Sequence, residues 1–454
     1  MVPGSPWRGP HRGLHRGGVA AKVFVGDIQR KPKSGYAAPL CRMNILIISV
    51  NYPPESTAGP YTAELAEYLR DRGHNVRVIT GFPQAPSWKI WEGYRGRLFM
   101  RDAVNGIPVF RTRVFLPKDP RKTLGRILFD CSFSIAALAG IFVGKRPGLI
   151  VVTSPPLQLG LTALLLRFLT RARIFMHIKD LVPDAAIAVG MLKADSRGAR
   201  IGHWLERLIY KRLDGISVIS DGMRRNLVAK GVPRERIQVL PDYIDLNFIR
   251  PVIAANGFRS SLSIPSDDFL VLYSGSVSAK QGLETFVAAA ASLDKDTGTT
   301  CCVIGEGPQL QELKQYAQGL CLTRFKFFPL QPRDSLAAQL SAADVLLIMQ
   351  RKTVMDAVFP GKLIYYMAAG RPILAAVSPD SDTGRFVEEN QVGIVVPPED
   401  AGQLTEAIRS LRANPERTAE LGHNARRTAE LQFDRTVVLR RFAEYLERKP
   451  LGAS

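Results

Sequence analysis

From Met43 onward the chain alternates short runs of β-branched and other apolar residues with longer stretches in which apolar positions recur every three or four residues. The first pattern fits strands buried on both faces, and the second fits amphipathic helices lying over them. Strands are predicted at 44–50, 75–80, 149–153, 173–177, 215–219 and 237–240, with helices at 61–72, 157–170, 200–212 and 222–230. After Pro241 the pattern relaxes into a hinge, with Pro251, Asn256, Gly257 and Pro265 as breakers as far as Asp268. A second series then predicts strands at 269–273, 299–304, 325–328, 344–348, 372–376 and 393–396, and residues 400–449 read as helix. Two such series predict an α/β protein: two Rossmann-like domains with a cleft between them and a helical C-terminal segment.

Length agrees, because 454 residues exceed what one hydrophobic core serves. Charged residues at 22% and hydrophobic ones at 46% exclude a wholly disordered or collagen-like chain. Cys41, Cys131, Cys301, Cys302 and Cys321 form no C-x-x-C pair, so reduced thiols in a reducing compartment are expected, with no zinc site. Cys301 and Cys302 lie in an apolar run and read as core.

The formal charge of +20 is unevenly spread. Residues 1–42 carry eight Lys/Arg against one acid, with many Gly and Pro and no apolar core of the secretory kind, so they read as a disordered or mis-annotated extension before Met43. Residues 86–126 carry ten Lys/Arg against three acids, interleaved with Trp88, Trp91, Tyr94, Phe99, Phe110 and Phe115. That mixture suits an anionic lipid surface, or equally a solvated loop whose aromatics fill the core. Residues 127–143 are apolar except for Asp130, Ser132 and Ser134 and read as a buried or interfacial helix, being short of the ~20 residues a bilayer demands. No helix-turn-helix, zinc-finger or RNP pattern accompanies the charge, so nucleic acid is not the expected partner.

In parallel sheets ligands gather beyond the carboxyl ends of strands, which directs attention to the turns there. The turn Pro53-Pro54-Glu55-Ser56-Thr57-Ala58-Gly59 is not G-x-G-x-x-G, which argues against a dehydrogenase. The turn at 177–184 places His177, Asp180 and Asp184 at a strand end, where titratable groups can serve catalysis. In the second half, Gly275-Ser276, Lys280-Gln281-Gly282, Gly305-Glu306-Gly307 and Asp356 to Lys362 each follow a predicted strand. Glycines there allow close backbone approach, and Lys280, Lys362 and helix N-termini near Gly282 and Gly361 could neutralise a diphosphate.

Residues 43–449 resemble the GT-B glycosyltransferases of the family-4, retaining, metal-independent type, in the colanic-acid, exopolysaccharide and O-antigen branch. The resemblance rests on Tyr52-Pro53-Pro54-Glu55 with Gly59, LRDRGHNV at 69–76, Thr153-Ser154-Pro155-Pro156, Asp180-Leu181-Val182-Pro183-Asp184 and VLPDYID at 239–245. It continues in Gln281-Gly282-Leu283-Glu284, Gly305-Glu306-Gly307-Pro308 and FPGKLIYYMAAGRP at 359–372. It implies an acceptor-binding domain at 43–248, a nucleotide-sugar-binding domain at 249–430 and a helix at 431–454 packing back across the hinge. It also implies a GDP- or UDP-sugar donor, held by Gly59, Gly275, Ser276, Lys280, Gln281, Gly282, Glu306, Gly307, Asp356, Lys362 and Tyr365. His177, Asp180 and Asp184 would then be catalytic, no cofactor or metal would be needed, and the acceptor would be a lipid-linked glycan. The protein would be cytoplasmic and peripheral on the anionic inner face of the plasma membrane.

The sequence departs from the family at four points. The Arg usual after the glycine at Gly275 is Ser276, and the Lys usual before Gly282 is Gln281. The paired glutamates fall at about Ala357 and Tyr365, neither acidic. Two rivals stand beside this reading: a non-hydrolysing sugar-nucleotide epimerase, which would share the two-domain fold, and an inactive scaffold of a polysaccharide assembly complex, which the missing glutamates favour.

Overall fold

The computed structural model describes residues 42–448 apart from 56–58, 86, 120–121, 189–191, 253–255, 297 and 354–359. The leading segment, Ser56 to Ala58 and Asp356 therefore lie outside the described residues.

The first half runs β1 (Asn44–Ile48), α1 (Gly59–Asp71), β2 (Asn75–Gly81), β3 (Phe99–Val104), β4 (Ile107–Thr112), α2 (Thr123–Ala136), β5 (Leu149–Ser154), α3 (Leu159–Thr170), β6 (Arg173–Ile178), α4 (Val182–Ala188), α5 (Arg197–Tyr210), β7 (Gly215–Val218), α6 (Asp221–Ala229) and β8 (Ile237–Val239). Its eight strands form one sheet in the order β3-β4-β2-β1-β5-β6-β7-β8, parallel except for β3 against β4.

The second half runs α7 (Asn256–Ser261), β9 (Phe269–Ser274), α8 (Glu284–Leu293), β10 (Thr299–Ile304), α9 (Leu310–Gly319), β11 (Phe325–Phe328), α10 (Leu336–Ala342), β12 (Val345–Met349), α11 (Gly361–Ala368), β13 (Ile373–Ala376), α12 (Asp382–Glu389), β14 (Gly393–Val396), α13 (Ala401–Ala413), α14 (Pro415–Thr428) and α15 (Arg435–Glu447). Its six strands are all parallel in the order β11-β10-β9-β12-β13-β14. Apolar side chains cover both faces of both sheets, as parallel pairing requires, and Cys301 and Cys302 are buried in β10.

Three features of the frame bear on function. The basic segment 86–126 is not one loop, because it contains the hairpin of β3 and β4. Asn105 and Gly106, both with positive φ, form the tight turn that Asn-Gly favours, and β3 alternates exposed with half-buried residues. Next, α2 buries Phe129 and Phe133 while Leu124, Ile127, Leu128 and Ile135 stay exposed, so the apolar run at 127–143 lies along the protein on one face only. Last, the chain leaves α14 through a π-turn at Ala429–Phe433, and the Asp434 carboxylate caps α15 by accepting from the Thr436 N–H at 2.8 Å. α15 then lies on the eight-stranded sheet. There the Tyr445 hydroxyl donates to the Arg236 carbonyl at 2.7 Å and accepts from the Ile216 N–H at 2.9 Å, and Glu447 pairs with Arg72 and His74 at 2.7 and 2.9 Å.

Candidate functional site

The six-stranded sheet reverses its winding between β9 and β12, the point at which open α/β sheets bind ligands. β9 runs into Gly275, whose φ of 143° lies in the region that favours glycine. A Cβ on Gly305 would lie 1.9 Å from the Gly275 carbonyl oxygen, and one on Gly307 would lie 2.0 Å from that of Val277. Two turns are thus stacked backbone on backbone, tied by the Val277 N–H donating to the Glu306 carbonyl at 2.8 Å. The side chains of Ser276, Lys280 and Glu306 are exposed at the rim.

α11 docks onto this floor through two residues one turn apart. The Tyr366 hydroxyl accepts from the Ser274 N–H at 3.0 Å and donates to the Ser274 carbonyl at 2.8 Å. The Lys362 ammonium donates to the Tyr273 hydroxyl at 2.7 Å, and that hydroxyl donates to the Ser276 carbonyl at 2.6 Å. Lys362 Nζ lies 3.1 Å from where a Cβ on Gly275 would stand. Desolvation pushes its pKa down to about 8, so it is a cation poised to gain from a nearby anion. Among the described residues no side chain caps the N-terminus of α11 at Pro360; the Leu363 N–H donates to the Pro360 carbonyl at 2.9 Å, and the N–H groups of Gly361 and Lys362 are left for a ligand.

Gln281 is folded into its own turn, its side-chain carbonyl accepting from the Ser278 N–H at 3.1 Å and hydroxyl at 2.6 Å. Beside it stands Arg351, just past β12, which sequence reasoning missed. Its Nε donates to the Ala279 carbonyl at 2.6 Å, its backbone N–H donates to the Lys280 carbonyl at 2.9 Å, and it ion-pairs with Glu284. Its place just beyond a strand end is the signal that could have found it.

On the eight-stranded side, Gly59 admits α1 close over the turn before it, where a Cβ would stand 2.9 Å from the Tyr52 carbonyl carbon. Glu55 is buried, accepting from the N–H groups of Gln84 and Ala85 at 2.6 and 2.7 Å. It therefore holds the loop after β2.

His177 occupies the end of β6, with Nδ1 3.0 Å from the Ser217 hydroxyl and the ring 5.2 Å from that of Phe442 on α15. Desolvation, aided by the Lys179 charge, pushes its pKa down to about 3, so the imidazole is neutral at ordinary pH. It lines a cavity of about 30 Å³ with Thr153, Lys179, Tyr61 and Asp242. Lys179 Nζ is 2.6 Å from Asp242 and 4.1 Å above the Tyr61 ring. The Tyr365 phenol is near enough to that of Tyr61 to help burial push the Tyr61 pKa up, so α1 and α11, and with them the two halves, approach each other at this pair.

The three residues predicted as catalytic are not gathered at one point. Asp180 is exposed beyond β6, next to Lys179. Asp184, on α4, ion-pairs with Lys230, which also donates to the fully buried Glu206 at 2.7 Å. His203 completes this cluster 3.1 Å from Glu206. Asp184, His203 and Glu206 are near enough to share a metal ion, but the Lys230 ammonium is the cation that contacts both carboxylates.

Residues 56–242 match the family model described as "Glycosyl transferase 4-like domain", and residues 256–428 match "Glycosyl transferases group 1". The chain is 32% identical over 410 residues to the "Putative colanic acid biosynthesis glycosyl transferase WcaI" of Escherichia coli (strain K12), covering 88% of this chain and 98% of the relative. It is 23% identical to a GDP-mannose-dependent alpha-(1-6)-phosphatidylinositol monomannoside mannosyltransferase of Mycobacterium tuberculosis, covering 70% and 86%. Among solved structures, Anabaena HepE in complex with UDP superposes with a TM-score of 0.66 at 18% identity, covering 89% of this chain and 99% of HepE. Sucrose-phosphate synthase from Thermosynechococcus elongatus superposes at 0.65 with 22% identity, covering 89% and 98%.

Proposed function

The chain belongs to the GT-B glycosyltransferases of the family-4 type, and from that premise we propose that it moves a sugar, with retention at the anomeric carbon, from a GDP- or UDP-linked donor to a lipid-linked oligosaccharide. The process would be exopolysaccharide, colanic-acid-like or O-antigen assembly. The observation that carries this reading is the Lys362 ammonium lying against Gly275 at the switch point, beside the uncapped start of α11.

A departing nucleoside diphosphate gains negative charge in the transition state, and groups already aimed at it lower the barrier without reorganising. Lys362 and the first N–H groups of α11 supply positive charge at that place, with no metal or cofactor required by this scheme. His177, neutral and hydrogen-bonded to Ser217, positions the transferring sugar. Lys179 and Asp242, exposed in part to the same small cavity, offer a donor and an acceptor for hydroxyl groups. The proton of the attacking hydroxyl passes to the leaving phosphate in a front-face displacement.

The acceptor's lipid places the protein peripherally on the anionic inner face of the plasma membrane, with the apolar side of α2 and α3 against the lipid. Phe142 and Phe168 are 84% and 83% exposed, and the Thr162 hydroxyl on α3 donates to the Ser134 carbonyl on α2 at 2.8 Å, which makes the two helices one surface.

A thermal-shift panel of GDP- and UDP-sugars, followed by mass spectrometry of lipid-linked acceptors, tests the whole reading. Stabilisation by a nucleotide-sugar with transfer to the acceptor is expected. An altered sugar nucleotide formed without acceptor would replace the reading with epimerisation, and no stabilisation by any donor would replace it with a scaffold.

A further inference from the structure

Between β8, the start of α6, α12 and the turn before α15 lies a cavity of about 450 Å³ that shares no residue with the donor-side turns. Four guanidinium groups line it: Arg224 and Arg225 from α6, Arg385 from α12 and Arg441 from α15. Two are matched, Arg224 by Asp221 and Arg225 by Asp382. The other two have no carboxylate partner among the described residues. Arg441 reaches the Val239 carbonyl at 3.4 Å, and Arg385 Nε is buried with no hydrogen-bond partner.

A buried N–H of a guanidinium that has left water without a replacement acceptor is costly, and native proteins rarely keep one without a use. The residue one helical turn away indicates the use. The Asp382 carboxylate accepts from the Gly222 N–H at 2.7 Å and pairs with Arg225, so an anion on α12 already ties the six-stranded half to α6 of the other half. Arg385 extends from α12 into the same cavity and offers the opposite polarity; the Glu389 carboxylate, one turn on, lines the cavity too but makes no ion pair with it, so Arg385 is free to take a separate anion. The walls limit what that anion can be. The rings of Phe386 and Phe433, 5.7 Å apart and edge to face, give the cavity an apolar side, and Gln238 and Gln432 add amides. The volume is within the range of small-molecule sites, and paired guanidinium groups suit phosphate oxygens.

We propose that this cavity binds a phosphate-bearing small molecule, of sugar-phosphate to mononucleotide size, whose phosphate engages Arg385 and Arg441 and so bridges the two halves as a regulatory ligand. The binding does not depend on the catalytic reading above, because none of its residues belongs to the donor turns.

The test titrates the full chain with inorganic phosphate and with glucose 1-phosphate at constant ionic strength, using calorimetry and thermal shift. Saturable binding is expected, tighter for the sugar phosphate. Arg385→Gln with Arg441→Gln should weaken it at least tenfold without lowering the melting temperature of the free protein, since both guanidinium groups are half-buried and neither has, among the described residues, an ion pair to lose. Lys362→Ala should leave it unchanged. A response no larger than that to sodium chloride, or one lost in Lys362→Ala and kept in Arg385→Gln, would overturn the site. Hydrogen exchange in residues 241–250 should slow on saturation; unchanged exchange there would overturn the bridging.

Discussion

Tyr273 and Lys362 are joined by a 2.7 Å hydrogen bond in which the ammonium donates, and the phenol donates its own proton to the Ser276 carbonyl at 2.6 Å. The lysine is thereby fixed against Gly275 before any ligand arrives.

That placement sets a pH dependence. With its pKa lowered from 10.5 to about 8, Lys362 is charged below about pH 8 and neutral above it. Donor affinity should therefore fall as pH rises past 8, by at most tenfold per pH unit. Stability of the free protein moves the other way: between about pH 8 and 10.5 the unfolded chain holds more protons, so stability rises with pH. Lys362→Met should abolish both trends and lower turnover by about 10²- to 10³-fold, the scale set by losing one group aimed at developing charge. Nucleotide-sugar titrations from pH 7 to 9.5 on both proteins measure this.

His177 has the same sign with a lower window. Its folded pKa of about 3 lies below the unfolded 6.5, so the unfolded chain takes up the extra proton as pH falls from 6.5 toward 3, and stability is lost over that range. His177→Gln should flatten melting temperature against pH between 7.5 and 4.5. The rate profile of the native enzyme should show no limb near 6.5 from this residue. His177→Ala should still lower turnover, and normal turnover in that variant would remove its positioning role.

The cluster around Lys230 separates structure from chemistry. Lys230→Met removes the ammonium from the buried Glu206 carboxyl and leaves it His203 alone of its two basic neighbours, a change that costs about 3–5 kcal/mol and should lower the melting temperature accordingly. Asp184→Asn leaves Lys230 its bond to Glu206 and should cost far less. Chemical denaturation of the two variants gives the comparison, and a larger loss in Asp184→Asn would contradict it.

Both sheets were readable from the apolar runs because strands buried on two faces leave little room for polar residues. The stacked turns were readable for a similar reason: a strand followed by Gly275, Gly305 or Gly307 signals a backbone that other backbone approaches. The β3–β4 hairpin was harder to see, because one side of β3 faces solvent and its basic residues read as surface, although Asn105-Gly106 marked the turn. Grouping Asp184 with His177 reflected their nearness in sequence. α4 starts within that interval and carries Asp184 to Lys230, while Tyr61, Tyr365 and Asp242 come near Lys179 from distant segments that no short motif contains.

The surface proposed to meet lipid lies on α2 and α3 rather than on the basic, aromatic stretch alone. Trp88 packs 5.2 Å from Phe129 beneath Arg126, so it is part of the fold. Leu98, Phe99 and Phe115 of that stretch are exposed, and a second exposed apolar group is formed by Ile135, Phe142, Leu165 and Phe168, where Lys211 and Arg212 share a shallow cavity with Phe168. Burying a phenylalanine side chain in the acyl boundary contributes about 1.5–3 kcal/mol, more than one peripheral cation contributes at about 1 kcal/mol. Phe142→Ser with Phe168→Ser should therefore weaken binding to phosphatidylglycerol vesicles at least tenfold, while Lys211→Gln with Arg212→Gln weakens it less and mainly at low salt. Co-sedimentation at about 50 and 300 mM salt measures both effects. Equal binding by the Phe142→Ser, Phe168→Ser protein and the native one would show that this face does not meet lipid.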